Sequence, residues 1–550
     1  MPSRFIKMIK LTIDHNPIVV KEGITVMEAA ASLGIVIPSM CFKPGFSNHP
    51  SCMVCVVKDL HHDTFLPSCA LPVSEGMHIR TNTAEVKEAR KEALELLLSD
   101  HLGDCEAPCR LSCPAFMDIP LMNRLIAAGD FNLALHIVRE EIALPLILGY
   151  ICPAPCEKAC KRKPMDAAVS VCLLKRATVQ QGNQLHTHFH GSIKSNGKRV
   201  AIIGTGPAGL SAAFYLLRSG HACVLFDKHE KAGGAMRYSI SDEHLPKKML
   251  DAEIKTIREM GAEFHLNIPV TKDIFQHTIL RGFDAVILAT GHLKSNLTDI
   301  FGIQPDSTGS FINKKSFTTS LEGVFACGNV IREQKMAVHS VAQGKMAAMQ
   351  VGIYLGTDLL KKSKPEFNNS TSFHRREEVH KRNSVSTIGP LFDTEWSAYM
   401  QESIPDHRIE PANGNLEGFT REEATSEANR CLHCDCRKPV SCKLRLYADE
   451  YGANRKRNAG PDRKMLTRSI HHEHVVYETE KCIRCGLCVE ITEKQGEVTG
   501  LTFAGRGFDV QISVPFNETI REALTKTAKQ CVESCPTGAL AFKIGEERNK

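Results

Sequence analysis

The sequence predicts a multidomain chain that mixes α/β and α+β architecture, on three observations. At 550 residues it is too long for one hydrophobic core, and about three to five domains are expected. Lys198–Asp227, KRVAIIGTGPAGLSAAFYLLRSGHACVLFD, reads as a strand, a glycine-rich turn, a helix and a second strand. Most of the 22 cysteines fall in short-spaced groups on both sides of that unit, the pattern of metal ligation rather than of a disulfide framework.

In the glycine-rich unit, Val200–Ile203 is the first strand, Leu210–Ser219 the body of the helix, and Ala222–Phe226 the second strand. Gly204 permits the tight turn, Gly206 lets backbone approach a pyrophosphate, and Gly209 lets the helix close on the strand. The helix N-terminus offers unpaired N–H groups to phosphates, and Asp227 stands where ribose hydroxyls would be received. This is a dinucleotide-binding βαβ unit. The stretch resembles the flavin half of the glutamate synthase small subunit and of dihydropyrimidine dehydrogenase. GGAMRYSI (233–240), LPKKMLDAEI (245–254), VILATG (286–291) and LEGVFACGN (321–329) carry the likeness further. It implies an FAD-binding Rossmann-like domain over 198–357, with Gly204, Gly206, Pro207, Ala208, Gly209, Asp227, Gly234, Arg237, Gly291, Gly328 and Asn329 around the flavin. Asn329 replaces the family's Asp, keeping a hydrogen-bonding group and removing a charge. In the family a second Rossmann unit, which takes NAD(P)H, separates the ATG and GVFACG strands. Here only residues 292–322 intervene, without a GxGxxG, so the nicotinamide subdomain is expected to be missing.

Residues 1–83 open on alternating runs and a helix, followed by Cys41, Cys52, Cys55 and Cys69. The order and the SCMVCVV motif resemble the N-terminal domains of iron-only hydrogenases and the complex I large iron–sulfur subunit. The resemblance implies a β-grasp, ferredoxin-like fold whose four cysteines hold a [2Fe–2S] cluster; a structural zinc is the alternative.

Residues 84–183 begin with an amphipathic helix (84–100) and continue as HLGDCEAPCRLSC and ICPAPCEKAC. These runs resemble the helical two-cluster domain that precedes the flavin domain in the glutamate synthase family, where the two cysteine groups interleave. Position by position, Cys105, Cys109 and Cys160 would serve one [4Fe–4S] cluster, and Cys113, Cys152 and Cys156 the other. His101 aligns with the first cluster's missing ligand, and a neutral imidazole can ligate iron; a capping or surface His is the alternative. For the second, Cys172 is the candidate, against a buried inert thiol. The polar stretch 184–197 reads as a linker, with His186, His188 and His190 solvated.

Residues 358–425, rich in Lys, Glu, Asn, Ser and Pro, read as an extended arm. In 426–455, Cys431, Cys434, Cys436 and Cys442 suit a [4Fe–4S] cluster, with zinc as the alternative. Residues 470–550 hold KCIRCGLCVEIT and CVESCPTGAL, which resemble a two-cluster ferredoxin domain. In such domains the fourth Cys of each run serves the other cluster. By that crossover Cys482, Cys485, Cys488 and Cys535 hold one [4Fe–4S] cluster. Thr492, Thr525 and Ala528 stand at three positions of the second, leaving Cys531 alone.

The formal charge of +6 does not argue for nucleic acid. Each oxidised all-cysteine cluster carries about −2, so five would bring the balance to roughly −4. Neither a signal peptide nor a membrane span is legible, so a reducing cytoplasm is expected. No acid–base constellation for substrate chemistry stands out. The resemblances imply an electron-transfer subunit with FAD, one [2Fe–2S] and four [4Fe–4S] clusters, in a multi-subunit, anaerobic oxidoreductase. It would connect a nicotinamide-oxidising flavoprotein subunit, ferredoxin and a catalytic partner such as a hydrogenase or formate dehydrogenase. Whether the flavin bifurcates electrons or only relays them stays open. The alternatives are a stand-alone NAD(P)H-dependent reductase feeding a glutamate-synthase-like partner, and a scaffold with a vestigial flavin site.

Overall fold

The alternation of MIKLTI turns Ile9, Leu11 and Ile13 inward along β1 (Met8–Ile13), which pairs antiparallel with β2 (Asn16–Lys21). Asp14 and His15 both have positive φ, 47° and 71°, the mirror-image two-residue turn that suits the twist of a hairpin. A capping box between Thr25 and Glu28 then starts the helix Val26–Ser32. β3 (Val56–Asp59), β4 (Thr64–Pro67) and β5 (His78–Arg80) complete a sheet of order β2-β1-β5-β3-β4, with β5 parallel to β1. This is the expected β-grasp arrangement. The computed structural model describes residues 7–543 apart from 48, 183–193, 293–296, 334, 358–390, 392–394, 402, 405–406, 440, 459, 461–465 and 468.

The chain divides into two bodies, one within 1–107, 378–402 and 434–550, the other within 108–377 and 403–433. In the first, the helix Ala84–Asp100 is more than a connector. Its Leu94 and Leu98 join the core of the N-terminal sheet, together with Leu444 and Ala448 of the helix Lys443–Glu450. Buried Arg90 fixes it by donating to the Val56 carbonyl at 3.0 Å and to the Tyr451 hydroxyl at 3.1 Å. The C-terminal part pairs β11 (Val475–Tyr477) with β14 (Leu540–Phe542), and β12 (Thr502–Ala504) with β13 (Gln511–Ser513). The helices Leu487–Lys494 and Ala528–Ser534 close its core through Ile491 and Val532.

In the second body a parallel sheet runs in the order β10-β9-β6-β7-β8: β6 is Arg199–Ile203, β7 Ala222–Phe226, β8 Glu263–His265, β9 Ala285–Leu288 and β10 Val324–Ala326. Between β9 and β10 the described residues form one helix, Leu297–Phe301, and no further strand of the sheet. A helical layer holds Ile119–Ala127, Phe131–Glu141, Pro145–Ile151 and Val171–Gln181. Buried Glu253, from the helix Lys247–Glu259, caps Pro145–Ile151 by accepting from the Leu146 and Ile147 amides at 3.0 Å each. The helix Arg421–Ala428 also packs in this layer.

Much of the expected arm lies outside the described residues. Its described C-terminal part departs from an arm, because the described residues from Ser403 onward belong to the second body. The reason is a buried ionic network in which Arg162 donates to Asp166 and Ser403, and Arg430 to Glu427 and Asp166. Two buried guanidiniums need such partners. Among the described residues, no helix is long and apolar enough to cross a membrane. The linker histidines, His186, His188 and His190, fall outside the described residues.

Candidate functional site: a nucleotide cradle and grouped thiols

The nucleotide turn lies between β6 and the helix Pro207–Leu217. A Cβ on Gly209 would come within 2.0 Å of the Gly204 carbonyl oxygen, whereas one on Gly206 would meet nothing within 4 Å. The third glycine is thus used for packing, and the second faces open space, as a pyrophosphate requires. Gly204 has φ of 108° and abuts the Ala289 carbonyl. Gly234 has φ of 53° and reaches the Gly206 backbone, and Gly328 reaches Ala208. Pro207 opens the helix at a position where its missing N–H costs nothing. Arg237 donates to the Ala232 carbonyl at 2.6 Å and pairs with Asp251. Gly291 has φ of 80° just after β9, and Asn329 lies in the 3₁₀ turn Gly328–Val330 after β10.

Asp227 is more committed than expected. One oxygen accepts from the Thr205 amide at 2.8 Å and hydroxyl at 2.6 Å, and the other from the His229 amide and ring. Burial pushes its pKa up, but these donors outweigh it and keep the carboxylate ionised. A carboxylate can accept about four hydrogen bonds, so Asp227 first braces the turn. Thr205 is one residue the sequence reading missed. Gly344 is another: a Cβ there would come within 2.2 Å of the Ala208 carbonyl, so it sets how closely the helix Ala337–Tyr354 covers the turn. The small residues of AQGKMAA were the available signal.

The thiols gather in groups. Cys41, Cys52, Cys55 and Cys69 are all buried, and Cys41 and Cys52 have their sulfurs 3.4 Å apart. Hydrogen bonds from Cys52 and Cys69 hold Cys41 well below the usual thiol range, and Cys69 lowers Cys55. In the C-terminal part Cys482, Cys485, Cys488 and Cys535 interact electrostatically, while the Arg484 amide donates to the Cys482 sulfur at 3.3 Å. Arg484 takes a positive φ of 55°, and so does His433 at 48° in Cys431–Cys434. A left-handed residue ahead of the second cysteine folds each C-x2-C loop back on itself, a strain characteristic of functional loops.

In the second body Cys113, Cys152, Cys156 and Cys172 share one neighbour, the buried Lys175, whose ammonium is 4.0 Å from the Cys172 sulfur. Burial pulls Lys175 down, but the four thiols raise it overall. Lys175 therefore sits as a counter-charge beside the thiols. If these thiolates hold a cluster, Lys175→Met should lower its potential by about 200 mV. That is the order expected for one charge at this range with an effective dielectric near 20. Potentiometric EPR titration measures it, and an unmoved potential would reduce Lys175 to a packing role.

The two remaining runs are not kept whole. His101 and Cys105 belong to the first body, Cys109, Cys113 and Cys160 to the second; Cys431 belongs to the second, Cys434, Cys436 and Cys442 to the first. Cys431 lies beside Cys160, Asn123 and Arg124. His101, only 7% exposed, is the C-cap of Ala84–Asp100. Burial, then Lys481 and Arg455, hold its pKa down at about 4, so the imidazole is neutral. Among the described residues no three His, Cys, Asp or Glu side chains converge as a single-ion site requires. A cluster needs its ligands spread around several irons instead.

Residues 6–84 match the family described as 2Fe-2S iron-sulfur cluster binding domain, and residues 80–186 match dihydropyrimidine dehydrogenase domain II, 4Fe-4S cluster. Residues 202–265 match the NAD(P)-binding Rossmann-like domain. Three known domain types meet in this chain. Among curated proteins it is 33% identical to the NADP(+)-dependent formate dehydrogenase subunit beta of Moorella thermoacetica, over 39% of this chain and 33% of that one. It is 33% identical to the NADPH-Fe(3+) oxidoreductase subunit beta of Geobacter sulfurreducens, over 44% of this chain and 36% of that one. With the glutamate synthase [NADPH] small chain of Bacillus subtilis it shares 35% identity, over 33% of this chain and 37% of that one. The chain thus spans about a third of the length of these relatives.

Proposed function

We propose that this chain is an iron–sulfur flavoprotein subunit that carries electrons within a multi-subunit oxidoreductase of the cytoplasm. Its cofactors are FAD, one [2Fe–2S] and four [4Fe–4S] clusters, which supply one- and two-electron redox chemistry when bound. The chain's own residues hold them, set their charge environment and exclude water. The sequence boundaries assign 1–83 to the [2Fe–2S] cluster, 84–183 to the helical clusters, 198–357 to FAD and 470–550 to the C-terminal cluster; of the second range, residues up to 107 fall in the first body.

One observation carries this reading. In the first body the thiol groups are in electrostatic reach of one another in series, Cys41 acting on Cys485, and Cys535 acting on Cys442 together with Cys105. That is the arrangement of an electron path, and the named relatives are oxidoreductase subunits. The partners would be a nicotinamide-binding flavoprotein subunit, ferredoxin and a catalytic subunit acting on formate, hydrogen or a similar small substrate. The relatives' NADPH names favour a second reading, a self-sufficient NADPH-dependent reductase. The described residues between β9 and β10 speak against it.

Anaerobically prepared protein should carry one FAD and roughly 18 iron atoms per chain, as four [4Fe–4S] and one [2Fe–2S] clusters require. Iron, zinc and flavin analysis of the purified chain measures this. Stoichiometric zinc with about four fewer irons, or no flavin, would overturn the cofactor reading.

A further inference from the structure

We propose that His101, Cys105, Cys436 and Cys442 together hold one [4Fe–4S] cluster, formed between two distant parts of the chain. Its existence rests on the four-cluster reading above, which it refines. These four residues line one small cavity within the first body, bordered by Gly103, Asp104, Lys438, Arg445 and Lys481. His101, Cys436 and Cys442 are each more than nine-tenths buried. The His101 Nδ1 has no hydrogen-bond partner, while the ring makes a hydrogen bond to the Lys481 backbone. That bond therefore falls to Nε2. A ligating histidine is held in the same way, one ring N–H on a backbone carbonyl and the other nitrogen free for metal. A buried ring nitrogen left without a partner is otherwise costly.

The cysteines are seated as tightly. A Cβ on Gly538, in the Pro536–Gly538 turn, would come within 2.4 Å of the Cys436 sulfur. Cys442 opens the helix Lys443–Glu450, and Cys436 and Cys105 both act on it electrostatically. The border carries three cations, Lys438, Arg445 and Lys481, against one acid, Asp104, a balance that suits an anionic occupant. Arg445 is paired with Glu106 at 3.1 Å, and Lys481 with Glu478 at 2.5 Å, so two cations are held at the wall in fixed positions. The assignment takes Cys436 and Cys442 out of the Cys431–Cys442 run. Cys431 is then free to serve the helical-layer cluster beside Cys160.

The test is additivity. In the full chain prepared anaerobically, Cys105→Ala, Cys436→Ala and Cys431→Ala should each remove about four irons. Cys105→Ala with Cys436→Ala should still remove about four, whereas Cys105→Ala with Cys431→Ala should remove about eight. If Cys431→Ala and Cys436→Ala together cost only four while Cys105→Ala and Cys436→Ala cost eight, the uninterrupted run holds its own cluster and the proposal fails. A second measurement does not depend on cluster loss. The unaltered protein should show nitrogen coupling to one reduced cluster in pulsed EPR, and His101→Cys should keep the iron and abolish that coupling. Coupling that persists in His101→Cys overturns the assignment. FAD content and the [2Fe–2S] signal report folding in every variant. An unaltered chain about four irons short would instead sink the four-cluster reading itself.

Discussion

Mixed with NADPH or NADH under anaerobic conditions, the isolated chain is expected to keep its flavin oxidised, while dithionite or reduced ferredoxin bleaches it. Hydride transfer requires the nicotinamide ring stacked on the flavin, and a reactant left unpositioned loses at least about 100-fold in rate. Positioning needs a second glycine-rich turn to receive the pyrophosphate. Between β9 and β10 the described residues offer the five-residue helix Leu297–Phe301 and the isolated bridge of Thr318 with Phe325, with no GxGxxG in residues 292–322. Stopped-flow traces of flavin absorbance should therefore show reduction by nicotinamide at least about 100-fold slower than after adding a nicotinamide-binding partner subunit. Rapid, stoichiometric bleaching of the isolated chain by either nicotinamide would reject the relay and leave the self-sufficient reductase.

The parts of this molecule that were legible in the sequence are those specified by neighbours in the chain. The βαβ unit is one, because Gly204, Gly206 and Gly209 share a single turn, where Gly209 packs on Gly204, and Asp227 directly follows the next strand. The helix over 84–100 and the alternating strands of the N-terminal sheet are others. The fold class follows from these local signals, and the domain matches agree with it. What spacing does not encode is which cysteine run closes on which. Cys431–Cys442 looks like a self-contained ligand set, and His101, Cys105 and Cys109 look like one completed by Cys160, yet each is divided between the two bodies, because tertiary packing brings Cys431 to Cys160 and Cys442 to Cys105. The arm was misjudged for a related reason. Ser403 onward has little hydrophobic periodicity, and it is held by Arg162, Asp166, Glu427 and Arg430, charges that look solvated in a sequence. Asp227 shows the same gap on a smaller scale, since its partner Thr205 carries no motif of its own.

Cysteine to serine at position 535 should remove one [4Fe–4S] cluster, about four irons and one EPR signal, while the same change at 531 should remove none. The two residues are one helical turn apart at the end of Ala528–Ser534, so chain proximity predicts equal effects and only their surroundings separate them. Cys535 acts electrostatically on all three of Cys482, Cys485 and Cys488, whereas Cys531 acts on Cys488 alone among them. Cys531 is fully buried in the apolar core with Ile491, Ile512 and Leu524. The positions that would complete a second cluster are otherwise engaged. Buried Thr492 donates to the Val489 carbonyl at 2.9 Å and accepts from the Leu501 amide at 3.1 Å, so it ties the helix Leu487–Lys494 to the following loop. Thr525 bonds to Glu497 at 2.5 Å, and Ala528 begins the last helix without a ligating group. Cys531→Ser places a hydroxyl in that core and should cost about 1–3 kcal/mol of stability, visible as a lower Tm at unchanged iron. Equal iron loss from both variants would mean that the crossover pairing of the ferredoxin domain does not hold here, and that Cys531 ligates metal.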